Sequence, residues 1–128
     1  LNISNHENPI VYVNDMGLRE WASYIKHADH FLGCDSVGQH IAKAVGQKST
    51  VVIGSTYPIN ISYPNDDMVT IFDIGESRRV YEPIRITMDQ VRSEKNQGIM
   101  LMGDHIIDNL IESIHTNCPL SPTKLSTI

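Results

Sequence analysis

A polar cluster at residues 35 to 40, "DSVGQH", is the part of this sequence best suited to chemistry. It follows the apolar run "HFLGC" and opens a stretch with helical spacing. His40 lies one turn beyond Ser36, and helical side chains lean toward the N-terminus, so we expect its ring to approach the free amides there. Those amides and the positive end of the helix dipole attract anions. The cluster therefore predicts a turn that binds an anion such as phosphate.

The residue types in this turn predict different roles. A carboxylate repels phosphate, so we expect Asp35 to position other groups, either by accepting hydrogen bonds from loop amides or by holding His40. Phosphate contact is then left to Ser36 and the amides of residues 36 to 38. Gly38 would let a ligand approach the backbone closely.

A purely structural interpretation of the same residues is also open. Ser36 followed by Gln39 three residues later is a capping box, which fixes the start of a helix. At 100° per residue the polar side chains gather on one side of that helix, as a solvated face would require. This polar face consists of Ser36, Gln39, His40 and Lys43. The spacing alone favours neither interpretation.

Other candidate sites are weaker. His27 and His30 form an HxxH pair, but they lie across a helix end and a strand start, so we predict no shared metal site. The charged stretch at residues 76 to 79, "ESRR", is expected to be a surface turn. The sequence contains no Walker loop, GxGxxG or GxSxG motif. We predict no metal and no cofactor.

The elements around the cluster predict an α/β domain. Strands are expected at 10 to 13 ("IVYV"), 30 to 34 and 49 to 54, with helices from Leu18 to about Ala28 and from Ser36 to Gly46. This alternation with short connections predicts βαβ units and a parallel sheet covered on both faces. The polar cluster would then lie at the carboxyl end of a parallel strand, where ligands bind in open α/β sheets.

The second half of the chain is less regular. A loop of about a dozen residues follows Gly54, and loops of this length are often functional. The runs "MVTIFDI" and "RVYEPIRI" resemble two strands of a hairpin or two sheet-edge segments. Aliphatic residues with helical spacing predict a long amphipathic C-terminal helix with Asp104 as its N-cap. We expect one domain over residues 1 to 118 and a flexible tail over 119 to 128.

Composition limits the partners. The net charge is −5, with 15 acidic and 10 basic residues, which argues against a general nucleic-acid binder. No apolar run approaches the length of a membrane helix. The two cysteines have neither CxxC nor zinc-type spacing, so a reduced, cytoplasmic location is the simpler expectation.

Residues 17 to 56 resemble the donor-binding half of GT-B glycosyltransferases of the lipopolysaccharide heptosyltransferase family (glycosyltransferase family 9). The family pattern has a Leu-led helix, "AD" before a strand, D-(S/T)-G-x-x-H, an Ala-rich helix, Gly, a β-branched strand and then Gly shortly before Thr. The matching residues are Leu18, Ala28, Asp29, Asp35, Ser36, His40, Ala42, Ala44, Gly46, Gly54 and Thr56. The resemblance implies a Rossmann-like parallel sheet with flanking helices, as part of a GT-B C-terminal domain.

The same resemblance implies a ligand and its contacts. In this family the D-(S/T)-G turn receives the diphosphate of a nucleotide-sugar donor, and a loop residue ahead of the Leu-led helix touches the base. By position the donor-binding residues would be Asp35, Ser36, Val37, Gly38 and His40, with Met16 at the base. The ligand would be a nucleotide-diphospho-sugar similar to ADP-heptose.

Two departures from the family pattern shape the functional expectation. Val37 stands where the family usually has glycine, and a β-branched residue does not easily adopt positive φ or leave space for phosphate. Only 34 residues precede Asp35, whereas a GT-B enzyme brings its acceptor and catalytic carboxylate on an N-terminal domain. We therefore expect donor binding without catalysis by this chain alone, and pairing either as a homodimer or with a separate N-terminal domain chain.

Two alternatives remain. The chain could be a non-catalytic interaction or scaffold domain that keeps the half-fold, or a relative of nucleotide-sugar epimerases or pyruvyltransferases.

Overall fold

The computed structural model describes residues 10 to 80 and 96 to 117, and within them the chain has an α/β architecture. Three parallel strands form one sheet with helices packed on it. The elements in chain order are α1 (Leu18–His27), β1 (Phe31–Cys34), α2 (Val37–Ala44), β2 (Ser49–Ile53), α3 (Pro58–Ile61), β3 (Val69–Asp73) and α4 (Asp104–Asn117). The predicted alternation of strand and helix is confirmed from α1 to β2.

The sheet has the strand order β1-β2-β3, with β2 in the centre. Phe31 of β1 lies opposite Ser49 of β2, and Ser49 lies opposite Val69 of β3. All five residues of β2 are buried, which explains why "STVVI" lacks the polar alternation of a half-exposed strand. All three strands are parallel, so their C-terminal ends lie together along one side of the sheet, which we call the carboxyl edge.

The core is divided between the two faces of the sheet. Alternate residues of a strand point to opposite faces, so Val51 and Ile53 pack on one side and Val52 packs on the other. On the second side, Val52, Ile74 and Leu110 form a buried cluster, and Ile106 and Ile114 of α4 add to it. The amphipathic pattern of α4 therefore serves to cover the sheet.

The ends of α1 and α2 are fixed by specific backbone contacts. Gln47, three residues beyond the end of α2, donates from its side-chain Nε2 to the Ile25 carbonyl near the end of α1 at 2.8 Å. Gly46 has φ +74°, a left-handed conformation that commonly ends helices and that the sequence predicts here.

Two predicted features differ from the structure, and the prediction of a hairpin strand or sheet-edge segment at "MVTIFDI" is confirmed in part, since β3 lies at the edge of the described sheet. Residues 10 to 13 form no strand: their side chains are exposed, and no strand of the described sheet pairs with them. An extended run becomes a strand only where a neighbouring backbone satisfies its hydrogen bonds. β3 pairs in parallel with β2, so "MVTIFDI" extends the sheet, while most of its suggested hairpin partner lies outside the described residues. Asp104 is the first residue of α4, and the Gly103 carbonyl accepts from Ile107 at 3.2 Å.

The tail at 119 to 128 lies outside the described residues. No helix within the described ranges combines the length and apolar character needed to cross a membrane.

Candidate functional site

The candidate site lies where the chain leaves β1 and β2 at the carboxyl edge of the sheet. Because these two strands are parallel neighbours, the segments that follow them start side by side. Thr56, after β2, donates from Oγ1 to Oδ2 of Asp35, after β1, at 2.5 Å. This hydrogen bond ties the two segments together at the edge.

The start of α2 is not capped as the sequence predicts. Ser36 is the N-cap residue by position and has extended backbone, but its side chain makes no cap hydrogen bond within the described residues. The predicted capping box is therefore wrong. Gln39 is only 1% exposed, and its Nε2 donates to the Ile61 carbonyl at 3.1 Å. Among the described residues, the amides of Val37 and Gly38 consequently have no side-chain cap, and helix geometry gives them no intrahelical acceptor, whereas the Gln39 amide donates to the Ser36 carbonyl at 3.3 Å.

Segment 57–66, which follows β2, folds back over the polar face of α2. Three residues of that face contact it: Gln39 through Ile61, His40 through Tyr63, and Lys43 through an ion pair with Asp66. Ser36, His40 and Lys43 are exposed, as a solvated face requires, whereas Gln39 is buried against this segment. The segment and α2 form two walls with a space between them.

His40 is held by Tyr63. Nδ1 of His40 and the Tyr63 hydroxyl are 2.7 Å apart, and the two rings meet edge to face with centroids 5.6 Å apart at 82°. Lys43 Nζ lies 5.3 Å from the Tyr63 ring centroid, which adds a cation–π contact. The hydrogen bond from Lys43 lowers the pKa of Asp66, and the Met68 amide lowers it further. Asp66 therefore stays charged and the segment keeps its anchor at neutral pH.

An open cleft of about 470 Å³ lies between these walls. Asp35, Gln39 and His40 line it on the side of α2, and residues 60 to 63 line it on the other. Its lining combines a carboxylate, an imidazole, two amides and two hydroxyls with the aliphatic Ile61. Such a mixture suits a polar small molecule better than an apolar one.

The predicted site residues are placed in different ways. Asp35 and His40 both line the cleft. Ser36 and Val37 are exposed at the start of α2. Met16 is half-buried just ahead of α1 and does not belong to the cleft lining.

Gly38 is buried, and its role differs from the predicted one. A Cβ at Gly38 would lie 2.6 Å from Cζ of Phe31 and 3.4 Å from Cζ2 of Trp21. The absence of a side chain therefore lets α2 pack against β1 and α1. Close approach of a ligand is not needed to explain this glycine.

Two further expectations are corrected. Among the described residues Asp35 bonds to Thr56, and it is Tyr63 that holds His40. Val37 is the first helical residue of α2 and does not have positive φ, so the backbone objection to a β-branched residue here does not apply.

Sequence reasoning missed part of the cleft. It treated the loop after Gly54 as functional but singled out no residue in it, and it assigned Gln39 to the exposed face. The loop supplies Asn60, Ser62 and Tyr63 to the lining. The only available signal was the length of the loop, because the contacts that place these residues join positions about 22 apart in the chain.

A second polar cluster braces the same edge of the sheet. Arg79 pairs with Asp73, donates from Nε to the Gly54 carbonyl at 2.9 Å, and lies 5.1 Å from the centre of the Tyr57 ring. Its side chain is only 9% exposed, so "ESRR" is more than the charged surface turn that the sequence predicts. These contacts fix the point from which segment 57–66 departs.

The two histidines of the HxxH pair have separate partners. His27 Nδ1 is 2.8 Å from the Ser23 carbonyl, and His30 Nε2 is 2.8 Å from Thr50 Oγ1. In the part of the chain that the structure describes, no three His, Cys, Asp or Glu side chains are grouped to hold a metal ion.

Comparisons of this chain with protein-family models, with curated proteins and with solved structures find no match.

Proposed function

We propose that this chain is the donor-binding domain of a glycosyltransferase, and that it binds a nucleotide-diphospho-sugar similar to ADP-heptose. The observation that supports this most is the cleft at the carboxyl edge of the parallel sheet, with the uncapped start of α2 beside it and His40 in its wall. The finer fold in this proposal is part of a GT-B C-terminal domain, which the resemblance of residues 17 to 56 implies.

The chemistry of the cleft matches the parts of such a ligand. A diphosphate is bound by the amides of Val37 and Gly38 and by the exposed hydroxyl of Ser36, helped by the helix dipole. His40 lies one turn along and donates from its second ring nitrogen. Asp35 holds Thr56 and so fixes the turn without contacting phosphate. A cleft of about 470 Å³ is also within the usual size range of small-molecule sites.

The proposal assigns donor binding to these residues and leaves catalysis to another domain. Sugar transfer needs a base held at the acceptor, and the resemblance places that group on the N-terminal half of a GT-B enzyme. A cytoplasmic location and a role in lipopolysaccharide biosynthesis go with this proposal.

Calorimetric titration with ADP and with UDP tests the proposal. We expect one of them to bind at millimolar concentration or below, and His40→Ala to weaken that binding roughly tenfold, as loss of a hydrogen bond to a charged group would. Tyr63→Phe is the companion variant: it removes the His40–Tyr63 bond but leaves the imidazole, so it should weaken binding less than His40→Ala does. Absence of heat change with both nucleotides would refute donor binding.

A non-catalytic interaction domain is the second candidate, and the surface at Val37 favours it. This side chain is 51% exposed in the first turn of α2, where a phosphate site would have a small residue. Apolar exposure at this position suits a protein contact. If neither nucleotide binds, this second function becomes the better account of the same fold.

A further inference from the structure

Two polar atoms in the cleft wall lack hydrogen-bond partners among the described residues. Oε1 of Gln39 is buried on the side of α2, and Oγ of Ser62 is buried on the side of segment 57–66. Gln39 uses its Nε2 to bond the carbonyl of Ile61, the residue just before Ser62. The two unpaired oxygens therefore flank one contact between the walls.

Buried oxygens of this kind need a partner. More than nine in ten buried polar groups in proteins are hydrogen-bonded, so two exceptions in one cleft require an explanation. An amide oxygen only accepts hydrogen bonds, whereas a serine hydroxyl both donates and accepts. The complementary group must therefore donate a hydrogen bond to Oε1 of Gln39 and either donate a hydrogen bond to the Ser62 hydroxyl or accept one from it. A hydroxyl does both, and a phosphate or carboxylate oxygen has no proton to donate.

We infer that Gln39 and Ser62 bind a hydroxyl group of the ligand and so help determine which nucleotide-sugar the cleft accepts. This inference rests on the proposed function, because that function places a diphosphate at the start of α2 with a ribose on one side and a sugar on the other. Both oxygens are shielded from solvent, so the hydroxyl takes its place as segment 57–66 shifts away from α2. Among the described residues, two hydrogen bonds, a surface ion pair and the ring contact between His40 and Tyr63 join the segment to the polar face of α2, while Ile61 and Tyr63 also pack against the sheet core.

Calorimetry on the 128-residue chain tests this with four probes: ADP, ADP-glucose, 2′-deoxy-ADP and 3′-deoxy-ADP. Ser62→Ala removes one of the two unpaired oxygens. It should weaken the binding of every probe that carries the hydroxyl bound there by about two- to tenfold, the effect of one hydrogen bond. If the sugar supplies the hydroxyl, only ADP-glucose is affected. If a ribose hydroxyl binds there, Ser62→Ala also weakens the binding of ADP. The deoxy-ADP that lacks this hydroxyl then binds the variant and the unaltered chain equally well.

Ser49→Ala is the matched control. Ser49 also has a buried hydroxyl without a partner, but it lies at the start of β2, at the opposite end of the sheet from the cleft. We expect this variant to bind all four probes like the unaltered chain. Gln39→Met is a second test, since it keeps the side-chain length and removes the acceptor, and it should weaken the same probes as Ser62→Ala. If Gln39→Met does not fold, the result for Ser62→Ala alone decides whether the inference holds.

The possible failures differ from one another. If the unaltered chain binds ADP and ADP-glucose but Ser62→Ala binds all probes equally well, the inference is wrong while the proposed function stands, and the two oxygens serve a water molecule only. If the unaltered chain binds neither these probes nor UDP, the proposed function fails and this inference fails with it.

Discussion

At the scale of single residues, the ring of Phe31 determines how closely α2 approaches β1. A Cβ at Gly33 would lie 2.7 Å from Cζ of this ring, and a Cβ at Gly38 would lie 2.6 Å from it. The ring thus occupies space that two missing side chains leave open. The turn with Asp35 and Ser36 lies directly between β1 and α2, so this packing also sets the position of the candidate site.

Gly38→Ala is predicted to destabilise the fold. Alanine favours helices over glycine, but its methyl group would overlap the Phe31 ring, and overpacking of this kind costs about 1 to 3 kcal/mol. Chemical denaturation measures the change. Gly17→Ala is the control, because no atom lies within 4 Å of its added Cβ. A Gly38→Ala variant as stable as the unaltered chain would show that the ring moves aside freely.

His30 is predicted to make stability depend on pH. Burial lowers its pKa below the ordinary value of 6.5, and the positive charge of Lys48 lowers it further. The unfolded chain therefore binds the proton more readily than the folded chain, so stability falls as the pH decreases from about 6.5 toward the folded pKa. Denaturation at pH 7.5 and pH 5 should show a larger loss for the unaltered chain than for His30→Gln. Equal losses would contradict this assignment.

The sequence could predict the turn at residues 35 to 40 but not the partners of its side chains. A carboxylate, a hydroxyl and a histidine at helical spacing are visible in one short stretch. Their bonds to Thr56 and Tyr63 join residues more than 20 positions apart, which local patterns do not encode. The same limit explains why Gln39 was expected on the solvated face.

At the scale of elements, segment 57–66 turns a strand–helix junction into a cleft. The sequence predicted α1, β1, α2 and β2 because each has its own hydrophobic period and end signals. The course of the segment after β2 was not predictable, since it depends on contacts with α2 and with the edge of the sheet. The extended run at 10 to 13 has strand-forming residues but forms no strand, because no strand of the described sheet pairs with it.

Arg79→Ala is predicted to weaken this edge. Arg79 joins β3 to the end of β2 through Asp73 and the Gly54 carbonyl, and truncation would leave the carboxylate partly buried without its partner. Breaking such a pair costs about 3 kcal/mol. Thermal or denaturant unfolding measures the loss, with the exposed Arg19→Ala as control. Arg79→Lys should restore only part of it, because lysine lacks the planar fork that reaches two acceptors.

At the scale of the whole molecule, the described surface retains large apolar side chains. Leu32 on the edge strand β1 is 50% exposed, and Ile111 on α4 is 48% exposed. Apolar surface favours association, and so does a strand that lies, like β1, at the edge of the described sheet. We predict that the chain self-associates at micromolar concentration, most simply as a twofold dimer.

Sedimentation equilibrium measures this association. Ile111→Glu should shift the equilibrium toward monomer, since a charge would be desolvated in the contact. Leu18→Glu is the matched control, because Leu18 is an exposed leucine at the start of α1, on a different helix. A monomer with no dependence on concentration would mean that the exposed residues serve no contact between copies.

The central claim is that a nucleotide diphosphate binds at the start of α2, and amide chemical-shift mapping during an ADP titration tests it most directly. If the claim is correct, the largest shifts fall on residues 35 to 40, including the uncapped amides of Val37 and Gly38, and saturate by millimolar ADP. Smaller shifts at residues 60 to 63 would show the ligand reaching the other wall of the cleft. Unchanged amides at residues 35 to 40 with millimolar ADP and with millimolar UDP, or shifts confined to another surface, would contradict the claim.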